Sequence, residues 1–256
     1  MTIDSDERSV AKLPNLMGGL RIYASNRLEK LSAALAASIS APLADPLAPE
    51  VFVVQSPGMA RWVSMEIAHS RGICANTRFY YPNEFVDDVL GKTLDNRKAT
   101  AAFDPAVVTW RIMKLLPQLV TTDGFETIAG YLEDDRSGVK TFQLAARLAD
   151  VFDQYVLFRP QMVFDWEAGK EPHWQAVLWR RLVKEASGMH RAALLKAFQR
   201  QCETQRIPPQ HLPQRVTVFG VAALPAFHID VFDNLSSMIQ VDLYLLNPCR
   251  EYWGDI

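Results

Sequence analysis

A turn that follows an apolar run is the first place where residue types and spacing in this sequence could support phosphate chemistry. Nucleotide-driven motors carry GxxxxGK[ST] at such a turn, where backbone amides hold phosphate, the lysine neutralises charge and the hydroxyl holds magnesium. Here the run Val51–Val54 is followed by QSPGMAR, residues 55–61. This turn has one glycine and no lysine, and Pro57 removes a backbone amide. Arg61 is either a remaining cation for phosphate or a solvated helix residue.

The second requirement of such a motor is an acidic pair at the tip of a later strand, which holds magnesium and orients water. The later apolar run Val216–Phe219 ends in Gly220 without a carboxylate, and Asp230 and Asp233 fall further on in a predicted helix. The letters Gly91–Thr93 (GKT) match only the end of the phosphate motif, and a helical pattern precedes them. The sequence therefore predicts that this chain does not hydrolyse ATP.

Other catalytic and metal-binding patterns are also missing from the sequence. The five histidines are scattered without HExxH spacing, and no GxSxG nucleophile motif occurs. Cys74, Cys202 and Cys249 are far apart and odd in number, which argues against a disulfide framework and a zinc site and favours a reducing compartment. We expect no intrinsic enzymatic activity, no metal site and no cofactor bound by this chain.

Charge and composition limit the classes of partner. The 256 residues carry 27 basic and 29 acidic side chains, a net charge of −2 that counts against strong autonomous binding to duplex DNA. Residues 1–19 have charges where a signal peptide needs an apolar stretch and predict a flexible tail. No apolar run approaches the roughly 18 residues of a membrane helix, so we expect a cytoplasmic protein.

Apolar runs alternate with helical patterns at both ends of the chain, which predicts a parallel sheet with helices on its faces. Asn26 is a candidate N-cap for the first helix. The predicted strands are Leu20–Ser25, Val51–Val54, Arg78–Tyr81, Val216–Phe219 and Val241–Leu246.

The middle of the chain has helical periodicity and no convincing strand pattern. Prolines at 208, 209 and 213 end this stretch. We therefore predict an α/β domain from residues 20–85 and 212–256, interrupted by a helical insert over residues 86–211. The predicted helices of the insert are Pro105–Leu119, Thr127–Glu133, Val139–Phe158, Trp174–Ala186 and Arg191–Glu203.

Several long segments resemble the N-terminal region of the RecC family, the gamma subunits of exodeoxyribonuclease V. They are Leu20–Leu28 (LRIYASNRL), Val53–Trp62 (VVQSPGMARW), Ala149–Pro160 (ADVFDQYVLFRP), Val218–Pro225 (VFGVAALP) and Asn247–Ile256 (NPCREYWGDI). The resemblance spans nearly the whole chain after the tail. Members of the family are several times longer, so this chain resembles an N-terminal fragment.

The resemblance implies a superfamily 1 helicase-like fold of the P-loop NTPase type whose motor motifs have degenerated. It also implies a non-catalytic subunit beside a RecB-like helicase–nuclease and a RecD-like helicase, the subunits that use ATP and magnesium. Such a subunit channels unwound strands and scans the 3′-ended strand for Chi during repair of double-strand breaks by homologous recombination.

The resemblance also carries candidate contacts to single-stranded DNA onto matching positions. Pro57 and Arg61 stand where the family would have polar uncharged residues, and Tyr81 and Asp87 replace an aliphatic and an aromatic residue. Arginine suits guanine edges or phosphate, and Gln or Asp suits base edges. The candidates are Gln55, Ser56, Pro57, Arg61, Tyr81, Asp87, Asp150, Val151, Asp153, Gln154, Arg159 and Arg191.

Three hypotheses remain open from the sequence. The chain is a DNA-channel subunit, a divergent ATPase or an interaction module without DNA contact. The missing lysine and carboxylates disfavour the ATPase. Seven basic residues against two acidic ones between 180 and 206 favour phosphate contacts, although Asp150, Asp153 and Gln154 could equally be the polar stripe of an amphipathic helix.

Overall fold

The computed structural model describes residues 18–94, 101–204 and 206–247, and a five-stranded parallel sheet is its centre. The strands are β1 (Gly19–Ser25), β2 (Glu50–Val54), β3 (Thr77–Tyr80), β4 (Arg215–Phe219) and β5 (Gln240–Leu246). They lie in the order β1-β5-β4-β2-β3, and each neighbouring pair is parallel. The predicted α/β class with a parallel sheet is confirmed.

Ten α-helices accompany the sheet in the described part of the chain. They are α1 (Leu28–Ser38), α2 (Pro57–Arg71), α3 (Pro82–Thr93), α4 (Pro105–Leu119), α5 (Glu126–Leu132), α6 (Val139–Phe158), α7 (Pro160–Glu167), α8 (Trp174–Glu185), α9 (Arg191–Glu203) and α10 (Ala226–Ser236).

The central strands β2 and β4 are buried on both faces, which explains why they are continuously apolar. Val51 and Val53 of β2 pack in one cluster with residues of α3, α9 and α10. Phe52 and Val54 alternate to the other face, where the helices α1 and α2 cover them. Side chains from the sheet therefore fill two separate layers of core.

A third apolar cluster lies among the helices α4–α8. Phe152 of α6 is at its centre, with ring contacts to Trp166 and Trp179. In contrast, α9 packs on the sheet although its sequence falls in the predicted insert. That residues 86–211 form a domain separate from residues 20–85 and 212–256 stays a prediction.

The predicted strands are all found, with ends that differ by one residue in most cases. The predicted cap at Asn26 is wrong. Helix α1 follows Arg27, and the Arg27 amide instead donates to Oγ of Ser25 (3.1 Å). Helix α7 was not predicted, because Pro160 ends the pattern of α6 and immediately begins a new helix. The predicted tail, apart from Gly18 and Gly19, and the segment around Cys249 lie outside the described residues.

We expect Phe152→Ala to destabilise the helices α4–α8 by about 3–5 kcal/mol, because it leaves a cavity where a fully buried ring packed. If these helices fold as their own unit, hydrogen exchange should accelerate in them and stay slow in the strands. The matched variant Phe219→Ala in β4 should have the reverse effect. Equal loss of protection in both regions would contradict a separate helical domain.

Candidate nucleic-acid interface

The carboxyl ends of the strands meet along one edge of the sheet because all strands are parallel, and this edge is where open α/β sheets bind ligands. Strand β2 lies between β4 and β3. The turn of residues 55–61 after β2 is therefore flanked by Tyr81, which follows β3, and by Gly220, which follows β4. The fold thus places the turn of residues 55–61 at the centre of this edge.

Within this turn the helix α2 uses its own side chains and backbone to satisfy its first amides. Oγ of Ser56 accepts a hydrogen bond from the Met59 amide (3.1 Å), and the Ala60 amide donates to the Ser56 carbonyl (3.1 Å). Pro57 begins the helix without an amide hydrogen. Gly58 alone keeps a first-turn amide without a partner among the described residues, whereas a phosphate cradle needs several.

A methionine side chain stands against the tip of the neighbouring strand β4. Gly220 has a φ of +64°, and a Cβ placed there would lie 3.0 Å from Cε of Met59. The thioether of Met59 therefore lies next to the position where a motor would have its magnesium-holding carboxylates. Gln55 and Arg61 are exposed beside it. This part of the edge is polar at its rim and apolar at its floor.

A second group of predicted residues meets through one guanidinium. Arg191 donates from Nε and Nη2 to the two carboxylate oxygens of Asp87 (3.3 and 3.1 Å) and from Nη1 to Oδ1 of Asp153 (3.2 Å). These residues, the Arg191 triad, join α9 to α3 and α6. Asp87 is 104 positions from Arg191 in the sequence, and Asp153 is 38 positions from it. Only the tertiary structure therefore brings the three residues together.

The charges of the Arg191 triad perturb one another. Burial raises the pKa of Asp153, and the positive charge of Arg191 opposes this shift while Asp104 adds to it. Burial lowers the pKa of Arg191, but the hydrogen bond to Asp87 and the negative charges of the nearby carboxylates together outweigh burial, and the net shift is upward. The carboxylates and the guanidinium are therefore mutually dependent, and loss of one leaves the others partly desolvated without a partner.

A pocket of about 110 Å³ opens beside the triad. Asp87, Asp104 and Asp153 provide carboxylates at this pocket, and the rings of Phe152 and Trp179 provide apolar wall. Its dimensions and lining suit a small or flat group with hydrogen-bond donors or acceptors at one edge.

Residues not predicted as site residues fix the start of α9, where Arg191 is the first helical residue. Nδ1 of His190 accepts from the Ala193 amide (3.3 Å), and its Nε2 lies 2.8 Å from Oε1 of Glu167. Nε1 of Trp179 donates to the same carboxylate oxygen (3.0 Å). The sequence signal that could have identified His190 is a histidine directly before a helical pattern, because an N-cap residue needs a side chain that accepts a hydrogen bond.

The helix α10 closes the other side of the triad. His228 is buried, and its Nε2 lies 2.9 Å from Oδ1 of Asn83 in the first turn of α3. Burial and then the charge of Arg191 lower the pKa of His228, while Asp87 acts in the opposite direction. A neutral His228 adds no positive charge to the triad at neutral pH.

The other candidates lie apart from the triad's hydrogen bonds. Asp150 and Gln154 are exposed one turn apart on α6, as expected for a polar stripe, and Val151 is half-buried. Arg159 is exposed, with its guanidinium 5.8 Å from the ring centroid of Tyr155. Tyr81 is exposed at the start of α3, where its amide donates to Oε2 of Glu84 (3.1 Å).

Part of the basic stretch between 180 and 206 has structural partners. Nη1 of Arg180 donates to the carbonyls of Trp166 (2.9 Å) and Glu171 (3.1 Å), and Nζ of Lys196 lies 4.9 Å from the ring centroid of Phe164. Four other basic side chains of the stretch are exposed: Arg181, Lys184, Arg200 and Arg206. Phosphate could reach these four cations.

Two further features concern the described residues only. No group of three or more His, Cys, Asp and Glu side chains among them could hold a metal ion. None of their helices is long and apolar enough to cross a membrane.

The residues Gly91–Thr93 form the last turn of α3, where the Thr93 hydroxyl donates to the Val89 carbonyl (2.8 Å).

Comparison with known proteins identifies similar chains. Residues 20–256 match the family model described as RecC, N-terminal domain. The RecBCD enzyme subunit RecC of Escherichia coli is 38% identical over 93% of this chain and 22% of its own length. The corresponding subunit of Haemophilus influenzae is 32% identical over 92% of this chain and 24% of its length, and that of Mycolicibacterium smegmatis is 26% identical over 91% and 22%. The chain thus spans less than a quarter of the length of these relatives.

Replacing Arg191 by alanine should raise the pKa of Asp153 further, because burial already raises it and Arg191 opposes the shift. A carboxyl group with a raised folded-state pKa contributes stability below its unfolded pKa of about 4 and loses it as the pH rises through the folded value. The loss of stability should therefore be largest at neutral pH, at about 1–3 kcal/mol.

Urea unfolding of both proteins between acid and neutral pH, with carbon NMR of the Asp153 carboxyl, measures this effect. The exposed Arg136→Ala provides a control for charge alone. Parallel stability profiles of parent and Arg191→Ala over the whole pH range would contradict the proposed dependence of Asp153 on Arg191.

Proposed function

Since this chain belongs to the RecC N-terminal domain family, we propose that it forms the strand channel in a non-catalytic subunit of a RecBCD-type helicase–nuclease. The subunit would pass unwound single strands along this chain and recognise Chi during double-strand break repair by homologous recombination. Its partners would be a RecB-like helicase–nuclease and a RecD-like helicase in the cytoplasm, and those subunits would use ATP and magnesium.

One observation carries the proposal: α3 connects the two groups of candidate residues. This helix begins at the carboxyl edge of the sheet beside the turn of residues 55–61 and contributes Asp87 to the Arg191 triad. Tyr81 and Asp87 are six positions apart, a rise of about 9 Å along a helix. A single helix thus links the two groups that the family resemblance selected from distant parts of the sequence, which supports a strand path along α3.

We further propose a superfamily 1 helicase-like fold whose motor chemistry has degenerated. The parallel sheet and the helix that begins after β2 have the layout of such a domain. The turn itself has a proline and no lysine, and Oγ of Ser56 accepts the hydrogen bond of the Met59 amide. The side chain of Met59 lies against the tip of β4. These features favour a nucleic-acid surface over a nucleotide site at this edge.

A second candidate function is a protein-interaction module of the same complex without direct DNA contact. Trp110 of α4 and Phe142 of α6 favour it, because their rings are 64% and 43% exposed and lie 5.7 Å apart. Val107 and Val139, each one turn before one of these rings, are exposed as well. Exposed aromatic clusters of this kind often anchor protein partners.

In the complete assembly, single-stranded DNA with photoreactive bases should crosslink to this chain around residues 55–61, 150–159 or 191. Arg191→Ala should weaken recognition of a specific sequence by about 1–3 kcal/mol if Arg191 contacts a base. Contact with phosphate alone would instead weaken binding to all sequences alike. The slope of the logarithm of the binding constant against the logarithm of the salt concentration would then fall in magnitude by about one. Arg136→Ala, at an exposed arginine outside the candidate site, is the control.

Crosslinks that avoid this chain altogether would reject the DNA-channel function. If Trp110→Ala then also weakened assembly with the partner subunits, the interaction module would replace it.

Magnesium-ATP should leave the melting temperature of the chain unchanged, because the turn after β2 lacks the amides and the lysine that bind phosphate. Differential scanning fluorimetry with magnesium alone as the reference measures this. A nucleotide-dependent rise that Arg61→Ala abolishes would show that the turn still binds phosphate.

A further inference from the structure

We propose that Asp87 determines what Arg191 can bind: it converts the guanidinium from a phosphate contact into a contact for neutral hydrogen-bond acceptors on bases. This inference rests on the strand channel proposed above and specifies the selectivity of one position within it. Asp87 would act through Arg191, as a positioning residue that also sets the local charge.

The hydrogen bonds of Arg191 leave it a small and defined set of free donors. A guanidinium has five N–H groups, and Asp87 engages those on Nε and Nη2 while Asp153 engages one on Nη1. One N–H remains on each terminal nitrogen. Free donors on these two neighbouring nitrogens suit acceptors on a base edge, such as O6 and N7 of guanine.

The sum of charges disfavours phosphate at the same place. Arg191 contributes one positive charge, and Asp87 and Asp153 contribute two negative charges within hydrogen-bonding distance. Asp104 is close enough to influence both Arg191 and Asp153. A phosphate that approaches Arg191 therefore meets a net negative site, whereas an uncharged base edge does not.

The triad is nevertheless accessible to a ligand. The side chains of Arg191, Asp87 and Asp153 are 21%, 34% and 29% exposed. The pocket beside them has rings of Phe152 and Trp179 in its wall, which suits a planar base better than a hydrated phosphate. Accessibility and lining both agree with contact to a base edge.

Asp88 provides a matched control for the charge of Asp87. It is the next residue of α3, but its carboxylate accepts from Nζ of Lys92 (2.5 Å) and from the hydroxyl of Tyr80 (2.9 Å) instead of contacting Arg191. Asp87→Asn and Asp88→Asn thus remove the same charge from neighbouring positions, and only the first changes the partner of Arg191.

The test compares these variants in the full-length protein with its partner subunits, using mixed-sequence single-stranded DNA over a range of salt concentrations. Asp87→Asn should bind several-fold more tightly at low salt and increase the salt slope by about one, because a phosphate contact is gained. Preference among base sequences should shrink. Asp88→Asn should leave the slope unchanged, and Asp87→Glu should restore the parent behaviour.

A merely structural Asp87 would lower the melting temperature without changing the salt slope, and that result would overturn the proposal. If Asp87→Asn fails to fold, Asp153→Asn removes the other carboxylate and should raise the slope in the same way. An unchanged slope in the folded variant is the contrary result.

The proposed channel and the role of Asp87 can fail separately. If the parent assembly crosslinks DNA within this chain while Asp87→Asn behaves like Asp88→Asn, the channel stands and the role of Asp87 is rejected. If the parent makes no DNA contact here and Asp87→Asn creates none, both are rejected. A contact that appears only in Asp87→Asn would also overturn the proposal, because Asp87 would then exclude DNA from Arg191 instead of directing it to base edges.

Discussion

The burial of the central strands of a five-stranded parallel sheet on both faces is the constraint on which the rest of the structure depends. Parallel strands need helical crossovers, and these cover the two faces and leave one edge where all carboxyl ends meet. Alternate residues of β2 supply the two layers, with Val51 and Val53 on one side and Phe52 and Val54 on the other. The turn after β2 and the start of α3 lie at this edge for that reason.

Electrostatics adds specificity to the apolar packing at the junction between the helices. A guanidinium held by two carboxylates tolerates few arrangements, because its hydrogen bonds are directional. Arg191 joins α9 to α3 and α6 in this way, and the contacts of His190 with Glu167 hold the start of the same helix. Because the triad is partly buried, its members stabilise the fold only as a set.

The turn after β2 at the same edge of the sheet is poorly suited to binding phosphate. A phosphate site needs free amides at a helix start, and here Ser56 and Pro57 leave few of them. An exposed polar rim formed by Gln55 and Arg61 remains. Such a surface can contact a nucleic-acid strand with side chains, which requires no cradle of amides and no metal.

The sequence by itself determined the classes of the elements and their approximate ends. Continuous apolar runs such as Val51–Val54 are typical of buried parallel strands, and periodic patterns predicted α4, α6 and α9 with the ends that the structure has. Local chemistry was also visible, since a missing lysine or a proline in a turn needs no tertiary context. Local ambiguity at Asn26 and Pro160 caused the errors, because neighbouring residues can serve equally as caps or helix starts.

Tertiary structure alone decided which distant side chains meet. Nothing in the spacing of Asp87, Asp153 and Arg191 indicates a shared ion pair, because side-chain contacts across 104 positions depend on helix packing. The strand order, the contact of Met59 with Gly220 and the packing of α9 on the sheet depend on it as well. Local sequence fixes the conformation of a segment, whereas its neighbours follow from how all apolar faces are buried at once.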